Sequence, residues 1–519
     1  MKEIELKLLL EPKAIPSLKR RLGAAAGEGR PAKTRQLTTI YLDTGEGALA
    51  AAGIALRLRR EGRSWTQTVK AGRSMRAGLS ETRELNNPAP GGRVDLAAIP
   101  DDAMRNLVEE AAAGLPLAPV YETVVKRTTW LIEAGGAEIE VALDRGEVRA
   151  GQSAETLDEL ELELLSGPPS ALFALARQLL PTGPLRFSTM NKAARGQRLA
   201  AGQAAVPAPE PRFASAVATG GGLSAEAAGR EILAECFLQI AENAAAIAAT
   251  DDPEGPHQLR VGLRRLRSGL QLLRPAFGGP RHTALEAEAR WLASEAGRLR
   301  DLDVALGDLV RPAAASALGE TGFEPLAGEL ARRSEEERRR MRKTLTGART
   351  TALLFDLSEY VALRGWLDPA DHGQTERLAM PFATLAADAL IRADRKARKR
   401  AAAAKGGIAN LEIEQRHDLR KALKALRYMI EFALPLWPAK RVKPLVKALK
   451  SLQTLFGSLN DAAMAEALFL AENAPCASDP AASRAAGRLI GAANAAAEHD
   501  WAAAQIRWQD FAAVPRPWA

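Results

Sequence analysis

Acidic side chains alternate with apolar ones in two short segments of the chain, Glu3–Lys7 and Glu159–Leu164. Successive side chains on a β-strand point to opposite faces, so each segment would place its charged residues on one face. Two acidic strand faces are compatible with one small domain if its interior is hydrated or holds a cation. Carboxylates without nearby His or Cys favour a hard divalent ion such as Mg²⁺ or Mn²⁺.

Basic side chains follow the same alternation. Arg57 and Arg59 share a strand face, and other segments supply Lys70, Lys192 and either Lys126 or Arg127. A barrel with acids on some inner faces and bases on others can hold a metal-bound polyanion, because bases neutralise phosphate oxygens while acids bind the metal. The alternative is that each charged segment is the solvated face of a sheet. That alternative explains a single charged segment well. It explains less well why several acidic and basic segments occur in one domain.

The second half of the chain carries basic stripes at helical spacing. Offsets of 0, 3, 7 and 10 residues fall within about a quarter of a helix circumference. The stripes consist of His257, Arg260, Arg264 and Arg267, and of His417, Arg420, Lys424 and Arg427. The adjacent apolar faces consist of Leu259, Leu263, Leu266 and Leu270, and of Leu419, Leu423, Leu426 and Ile430.

The two stripes belong to a longer internal repeat. Gly297 and Gly457 lie at the same distance after His257 and His417, respectively, and so do Asp301 and Asp461. The two copies therefore align without an insertion or deletion. This agreement predicts two copies of a helical unit. Repulsion within each stripe is relieved when a bound anion or nearby acids compensate the charges. The alternative is a structural network of salt bridges to the two Asp, and a buried, hydrogen-bonded role is equally compatible with each His.

Composition narrows the class of protein. The 519 residues contain 71 Lys and Arg against 63 Asp and Glu, a net charge of +8, so the placement of the bases matters more than their excess. Two cysteines, Cys236 and Cys476, exclude a disulfide framework and a cysteine-based zinc module. A charged N-terminus and the absence of a long apolar run predict a cytoplasmic protein with no membrane partner.

Patterning divides the chain into two domains and a linker. Residues 1–200 contain period-2 strands and predict a mainly antiparallel α+β or barrel domain. Residues 201–222 are rich in Pro and Gly and predict a linker. Residues 223–510 have 3.6-residue periodicity and predict an all-α domain built as a tandem of two bundles.

Ordered motifs over nearly all of residues 1–200 resemble those of the CYTH family, the triphosphate tunnel metalloenzymes. The motifs are Glu3-x-Glu5-x-Lys7, Tyr41–Thr44, Leu56–Arg60, Thr68-x-Lys70, Asp144, Glu159-x-Glu161-x-Glu163 and Lys192. The resemblance implies an eight-stranded antiparallel β tunnel that uses Mg²⁺ or Mn²⁺ to hydrolyse inorganic triphosphate to pyrophosphate and phosphate.

The same resemblance implies roles for individual residues. The metal ligands would be Glu3, Glu5, Asp144, Glu161 and Glu163, with Glu159 as a further member. Catalysis would depend on Glu5, Lys7 and Glu161. The substrate phosphates would contact Lys7, Arg57, Arg59, Lys70, Arg127 and Lys192.

One motif departs from the family pattern. The family commonly has Arg-x-Glu on a middle strand, whereas this chain reads Thr82-Arg83-Glu84. On a regular strand Arg83 therefore points away from the face of Glu84, so Arg83 is left outside the predicted site.

The paired His-x-x-Arg stripes resemble those of the CHAD family, the conserved histidine α-helical domain, over about residues 223–510. The resemblance implies two four-helix bundles around a basic cleft that binds inorganic polyphosphate through the eight stripe residues. It also suggests an association with polyphosphate granules. The stripes contain no aromatic residue for base stacking apart from Tyr428 beside Arg427, so no nucleic-acid partner is expected.

Three interpretations follow. The first is an inorganic triphosphatase joined to a polyphosphate-binding module. The second keeps the tunnel but changes the substrate to thiamine triphosphate or a nucleoside triphosphate, or the reaction to that of an adenylate cyclase. The third is a non-catalytic binding or scaffold protein for polyphosphate granules or nucleic acid.

Overall fold

The computed structural model describes residues 2–27, 29–317 and 320–518. The chain folds into two compact units. The first contains Met1–Pro209 and Thr346–Gly365, and the second contains Glu210–Leu345 and Trp366–Ala519. The predicted domain limits at residues 200, 223 and 510 stay predictions.

The first unit is built on an antiparallel barrel. Its strands are β1 (Lys2–Leu9), β2 (Lys33–Asp43), β3 (Ala55–Glu61), β4 (Ser64–Arg76), β5 (Leu79–Pro88), β6 (Ala118–Ala134), β7 (Ala137–Ala150), β8 (Ser153–Ser166) and β9 (Arg186–Phe187). The order is β5-β4-β3-β2-β6-β7-β8-β1, and β1 also pairs with β5, which closes eight strands into a ring. The short β9 pairs with the end of β1. The predicted eight-stranded tunnel is confirmed.

Six helices pack around this barrel. They are α1 (Ile15–Ala26), α2 (Ala48–Ala51), α3 (Asp102–Ala112), α4 (Ser170–Leu179), α5 (Lys192–Ala200) and α11 (Ala348–Ala362). Apolar strand residues such as Leu58 and Val69 share one buried cluster with Met104 and Val108 of α3. Because alternate side chains leave a strand on opposite faces, this outer apolar core leaves the inner faces to the charged residues.

The second unit is helical. Its helices are α6 (Ala225–Ala249), α7 (Glu254–Phe277), α8 (Pro280–Val304), α9 (Arg311–Ser316), α10 (Phe323–Leu345), α12 (Gln374–Ala379), α13 (Phe382–Ala401), α14 (Ile413–Ala433), α15 (Ala439–Phe469) and α16 (Pro480–Ala513). A π-helical turn, Ala305–Val310, continues α8 into α9.

Eight of these helices form two quartets, as the repeat predicts. One quartet is α6, α7, α8 and α10, the other is α13, α14, α15 and α16, and α7 packs against α14. All eight apolar residues beside the basic stripes are buried, so each stripe helix is seated by the face that the sequence predicts. The predicted tandem of four-helix bundles is confirmed.

One helix of the second unit, α6, is long and apolar enough to cross a membrane by length and composition alone. Of its most apolar 18-residue stretch, 61% is buried within the protein. Burial of that kind is also typical of a helix in the core of a bundle.

Candidate active site and anion cleft

A cavity of about 370 Å³ lies within the barrel. Ten of the twelve predicted tunnel residues line it, and Asp144 and Glu159 are the exceptions. The lining carries seven basic and six acidic side chains, namely Lys7, Arg57, Arg59, Lys70, Arg73, Arg127 and Lys192, and Glu3, Glu5, Glu84, Glu140, Glu161 and Glu163. Acids and bases therefore line one chamber together, as the strand patterns predict.

Pairing of β1 with β8 brings the two predicted acidic segments together. The register places Lys7 opposite Glu161 and Glu5 opposite Glu163. The Lys7 ammonium lies 2.9 Å from carboxylate oxygens of both Glu5 and Glu161. Burial disfavours its charge, but Glu161, Glu5 and Glu159 outweigh burial and hold the pKa of Lys7 well above its usual value.

Asp144 lies beneath the cavity wall and orients two bases. It is fully buried and accepts two hydrogen bonds from Arg127, at 2.7 Å from Nε and 2.6 Å from Nη2. Lys192 Nζ is 2.8 Å from Asp144 and 2.6 Å from Glu161. These contacts fix the two cations at the chamber wall. The metal-ligand role predicted for Asp144 stays a prediction.

A second charged group lies across β1, β3, β4 and β5. Lys70 binds Glu3 at 2.5 Å and also pairs with Glu84, and Arg57 lies 3.5 Å from Glu84. Burial raises the pKa of Glu84, but Arg57 and Lys70 lower it further, so the net shift is downward. Glu84, which lies outside the set of predicted site residues, thus faces the chamber with the predicted bases.

Tyr41 joins the basic side of the chamber. Burial would raise the pKa of its hydroxyl, but Arg57, Arg59 and Lys192 overcome that effect and lower it. Burial, together with Arg57 and Arg127, lowers the pKa of Arg59 to about 10. A bound anion would stabilise the charged form of this guanidinium and raise its pKa.

Three carboxylates of β1 and β8 in the lining, namely Glu3, Glu5 and Glu163, suit a cation. Burial, Glu3 and Glu5 raise the pKa of Glu163 to about 7. Glu163 has no hydrogen bond or ion pair among the described residues. Carboxylate oxygens are the ligands that a hard divalent ion prefers. Over the described part of the chain, however, no three His, Cys, Asp or Glu side chains already stand in a ligating group.

The displaced Arg83 points away from the chamber, as the strand alternation predicts. It pairs with Asp101, the residue that caps α3. Thr82 takes the inward position and lines the cavity together with Arg73, a residue that sequence reasoning missed. The sequence signal for Arg73 is Gly72 inside a strand pattern, which often marks a β-bulge.

Helix α5 places Lys192 at the chamber. Asn191 caps the helix by accepting a hydrogen bond from the Ala194 amide at 2.8 Å. One turn on, the buried Arg195 donates to Glu159 at 2.7 Å and to Ser188 at 2.9 Å. Glu159 is fully buried and does not line the cavity. Burial of this pair ties α5 to β8.

In the helical unit, the stripes of α7 and α14 meet at one cleft. A cavity of about 220 Å³ is lined by Arg264 and Arg267 from α7, and by Arg420 and Lys424 from α14. Tyr428 and Glu286 also line it. All eight stripe residues are half-buried. Packing of α7 against α14 therefore brings bases from both repeats into one place.

The cleft destabilises its own positive charges. Burial, Arg420 and Arg264 lower the pKa of Lys424 to about 6. Burial and Arg260 lower the pKa of Arg264 to about 10. Neither Lys424 nor Arg264 has an acidic partner within 4 Å among the described residues. Burial also lowers the pKa of His257, where Arg300 is the next cause, and of His417, where Arg420 is the next cause.

The alternative of a salt-bridge network applies to only part of the stripes. Arg260 binds Asp301 at 2.8 Å. In the second repeat, Arg420 instead donates to the Phe456 carbonyl at 3.1 Å, and Asp461 affects it only at longer range. The two repeats are thus chemically unequal, and Lys424 and Arg264 at the cleft have no ion pair with an acid in the described part of the chain.

Comparisons with known proteins match the barrel strands and the helical repeats to two different families. Residues 1–197 match the CYTH domain and residues 231–470 match the CHAD domain. An inorganic triphosphatase of Haemophilus influenzae is 31% identical over 204 residues, which cover 39% of this chain and 56% of that protein. The CHAD domain from the plant Ricinus communis superposes with a TM-score of 0.50 at 26% identity, covering 59% of this chain and 98% of that structure. The chain therefore contains a CYTH domain at residues 1–197 and a CHAD domain at residues 231–470.

Proposed function

We propose that the protein hydrolyses inorganic triphosphate to pyrophosphate and phosphate in its barrel and binds inorganic polyphosphate in its helical cleft, in the cytoplasm. The observation that carries the first half is the mixed lining of the barrel cavity. Seven bases are nearly balanced by six carboxylates, so a bare polyanion meets little net attraction. A polyanion that arrives with divalent cations satisfies both sets of side chains. The triphosphatase relative from Haemophilus influenzae supports the same substrate class.

The bases supply binding and charge stabilisation. The lining includes Arg57, Arg59, Lys70, Arg127 and Lys192. A linear triphosphate between them has its oxygens held in fixed positions, and charge that develops on the departing pyrophosphate meets preoriented cations. Asp144 acts as a positioning residue, because it holds Arg127 through two hydrogen bonds.

The acids supply the cation site. Glu3, Glu5 and Glu163 would hold Mg²⁺ or Mn²⁺, with Glu161 facing the same chamber. A bound divalent ion would polarise a phosphate oxygen and lower the pKa of a water ligand. The protein holds Lys7 between Glu5 and Glu161. From this position the Lys7 ammonium can exchange a carboxylate contact for a contact with a phosphate oxygen.

Phosphate release tests the triphosphatase activity. Purified protein with Mg²⁺ or Mn²⁺ should release phosphate from tripolyphosphate, and EDTA should stop the release. Glu5→Ala should abolish turnover, while Glu110→Ala, an exposed change on α3, should not. Full activity of Glu5→Ala would overturn the site assignment. A panel with thiamine triphosphate, ATP and long-chain polyphosphate would show whether another substrate is preferred.

The helical cleft supports the second half of the proposal. Four substitutions to Ala, at Arg260, Arg264, Arg420 and Lys424, should weaken polyphosphate binding while leaving triphosphatase turnover largely intact. A matched control removes four exposed bases from α13, namely Arg392, Arg395, Lys396 and Lys399. Equal loss in the two quadruple variants would indicate general charge attraction. Competition with RNA at fixed salt would separate polyphosphate binding from nucleic-acid binding.

A further inference from the structure

We propose that Arg73 binds a phosphate group of the tunnel substrate. It replaces the inward-pointing arginine of the Arg-x-Glu pattern, whose position is occupied by Thr82 in this chain. This inference rests on the proposed triphosphate site and adds one specific residue to it. It starts from the pairing of β4 with β5, where the register is interrupted.

The interruption is a β-bulge. Ala71 pairs with Arg83, and Ser74 pairs with Glu81, so Gly72 and Arg73 together stand opposite Thr82 alone. Gly72 has a φ of +63°, a left-handed conformation that glycine adopts at little cost. A glycine of this conformation in the first position is typical of a G1 bulge.

The bulge decides the direction of Arg73. Lys70 lines the chamber, whereas Ala71 is buried in the outer apolar cluster. Simple alternation would place Gly72 inward and Arg73 outward. The extra residue of the bulge shifts the inward–outward alternation by one position. Arg73 therefore points inward and lines the chamber beside Thr82. Arg83 keeps the outward phase and pairs with Asp101.

The Arg73 guanidinium is free to receive an anion. Its hydrogen-bond partners among the described residues are the Ser80 hydroxyl at 3.4 Å and the Met75 sulfur at 4.0 Å, both weak. No carboxylate lies within 4 Å of it in the described part of the chain. The other cations of the lining that pair with acids must exchange partners when substrate enters. Arg73 has no such partner to give up.

The charges around Arg73 indicate the end of the chamber at which it would bind phosphate. Burial lowers its pKa, with Glu5 and Glu159 opposing that effect and Arg195 adding to it. Glu3 of β1 lies opposite Thr82 in the register. Arg73 therefore serves the end of the chamber near Glu3 and Glu5, where the proposed cation also binds.

The test begins with Arg73→Gln in the full chain. The KM for tripolyphosphate should rise about tenfold or more, because a charge-assisted hydrogen bond to phosphate is lost. The melting temperature should stay the same, since no ion pair is broken. Arg83→Gln serves as a matched control on the neighbouring strand and should leave the KM unchanged.

A second change makes the position itself testable. Thr82→Arg in the Arg73→Gln background should recover most of the lost affinity, because the register places Thr82 opposite the bulge. A wild-type KM in Arg73→Gln would overturn the inference, and so would a KM that Thr82→Arg leaves high.

A measurement without turnover separates this inference from the proposed activity. With Mg²⁺ and a non-hydrolysable imido analogue of tripolyphosphate, the melting temperature should rise more for the wild type than for Arg73→Gln. This difference, in a protein that releases no phosphate from tripolyphosphate with Mg²⁺ or Mn²⁺, would support the Arg73 site and count against the triphosphatase. Equal protection of the two proteins would overturn the Arg73 site whatever the turnover.

Discussion

The charged side chains of the two sites are satisfied to different degrees before any ligand arrives. In the barrel, Lys7, Lys70 and Lys192 each contact at least two carboxylates. In the helical cleft, Lys424 lies among arginines and has no acidic partner within 4 Å over the described residues. A ligand must therefore displace acids in the barrel, whereas in the cleft it supplies charge that is missing. The two sites should respond differently to pH.

Polyphosphate binding should weaken as the pH rises above about 6. Below that value Lys424 is already protonated in the free protein, because its pKa is about 6, and binding takes up no proton there. Above it, Lys424 is neutral when free, and the bound anion favours its protonation. Binding then includes proton uptake, and the dissociation constant rises by at most about tenfold per pH unit.

Calorimetry in two buffers of different ionisation enthalpy measures this proton uptake. At pH 7.5 about one proton should enter per bound site, and Lys424→Met should abolish the uptake. Lys421, Tyr428 and Glu286 also line the cleft, and His257, His417 and Asp461 are titratable groups near the stripe arginines. The variant isolates Lys424 from them. Undiminished uptake in Lys424→Met would assign the proton to another group.

At the scale of elements, one helix position shows how closely the site depends on packing. Gly196 lies in α5, and a Cβ built there would lie 1.9 Å from the Tyr121 ring. Tyr121 stacks on Tyr41 with ring centroids 4.8 Å apart. The stack and Lys192 therefore depend on the close approach of α5 to β6.

Gly196→Ala should lower both the melting temperature and triphosphatase turnover. Alanine favours a helix by about 1 kcal/mol over glycine, but here its methyl group would push α5 away from Tyr121. Gly23→Ala makes the same change in α1, where nothing lies within 4 Å, and should be neutral or stabilising. If both variants gain stability, the contact with Tyr121 is not limiting.

At the scale of the whole molecule, one segment belongs to the helical domain by sequence but to the barrel unit by structure. Thr346–Gly365 lies within the residues that match the CHAD domain, yet it packs as part of the barrel unit. Phe355 of α11 meets Phe187 edge to face, with centroids 5.7 Å apart. Ser358 donates to the Ala77 carbonyl, and Arg177 of α4 binds Asp356 and Glu359, each at 2.6 Å.

Phe355→Ala should therefore destabilise the barrel. The side chain is fully buried, and truncation of a buried Phe costs about 3–5 kcal/mol. Triphosphatase activity should be lost at a lower temperature, while polyphosphate binding measured before heating should be unchanged. The control is Phe213→Ala, because Phe213 is 63% exposed. Unchanged heat inactivation would mean that α11 contributes little to the barrel.

The sequence by itself determined the architecture and most of the site. Alternating charge and apolar periodicity are local properties, so they place Glu5, Lys7 and Glu161 on one barrel face and the basic stripes on seated helices. What only the tertiary structure decided depends on long-range pairing. Strand register and one bulge turn Arg73 inward and leave Thr82 opposite it. The packing of α7 against α14 suppresses the charge of Lys424, and a hydrogen bond across 281 positions joins Ser358 to Ala77. Such interactions have no periodic signature, because they join residues far apart in the chain.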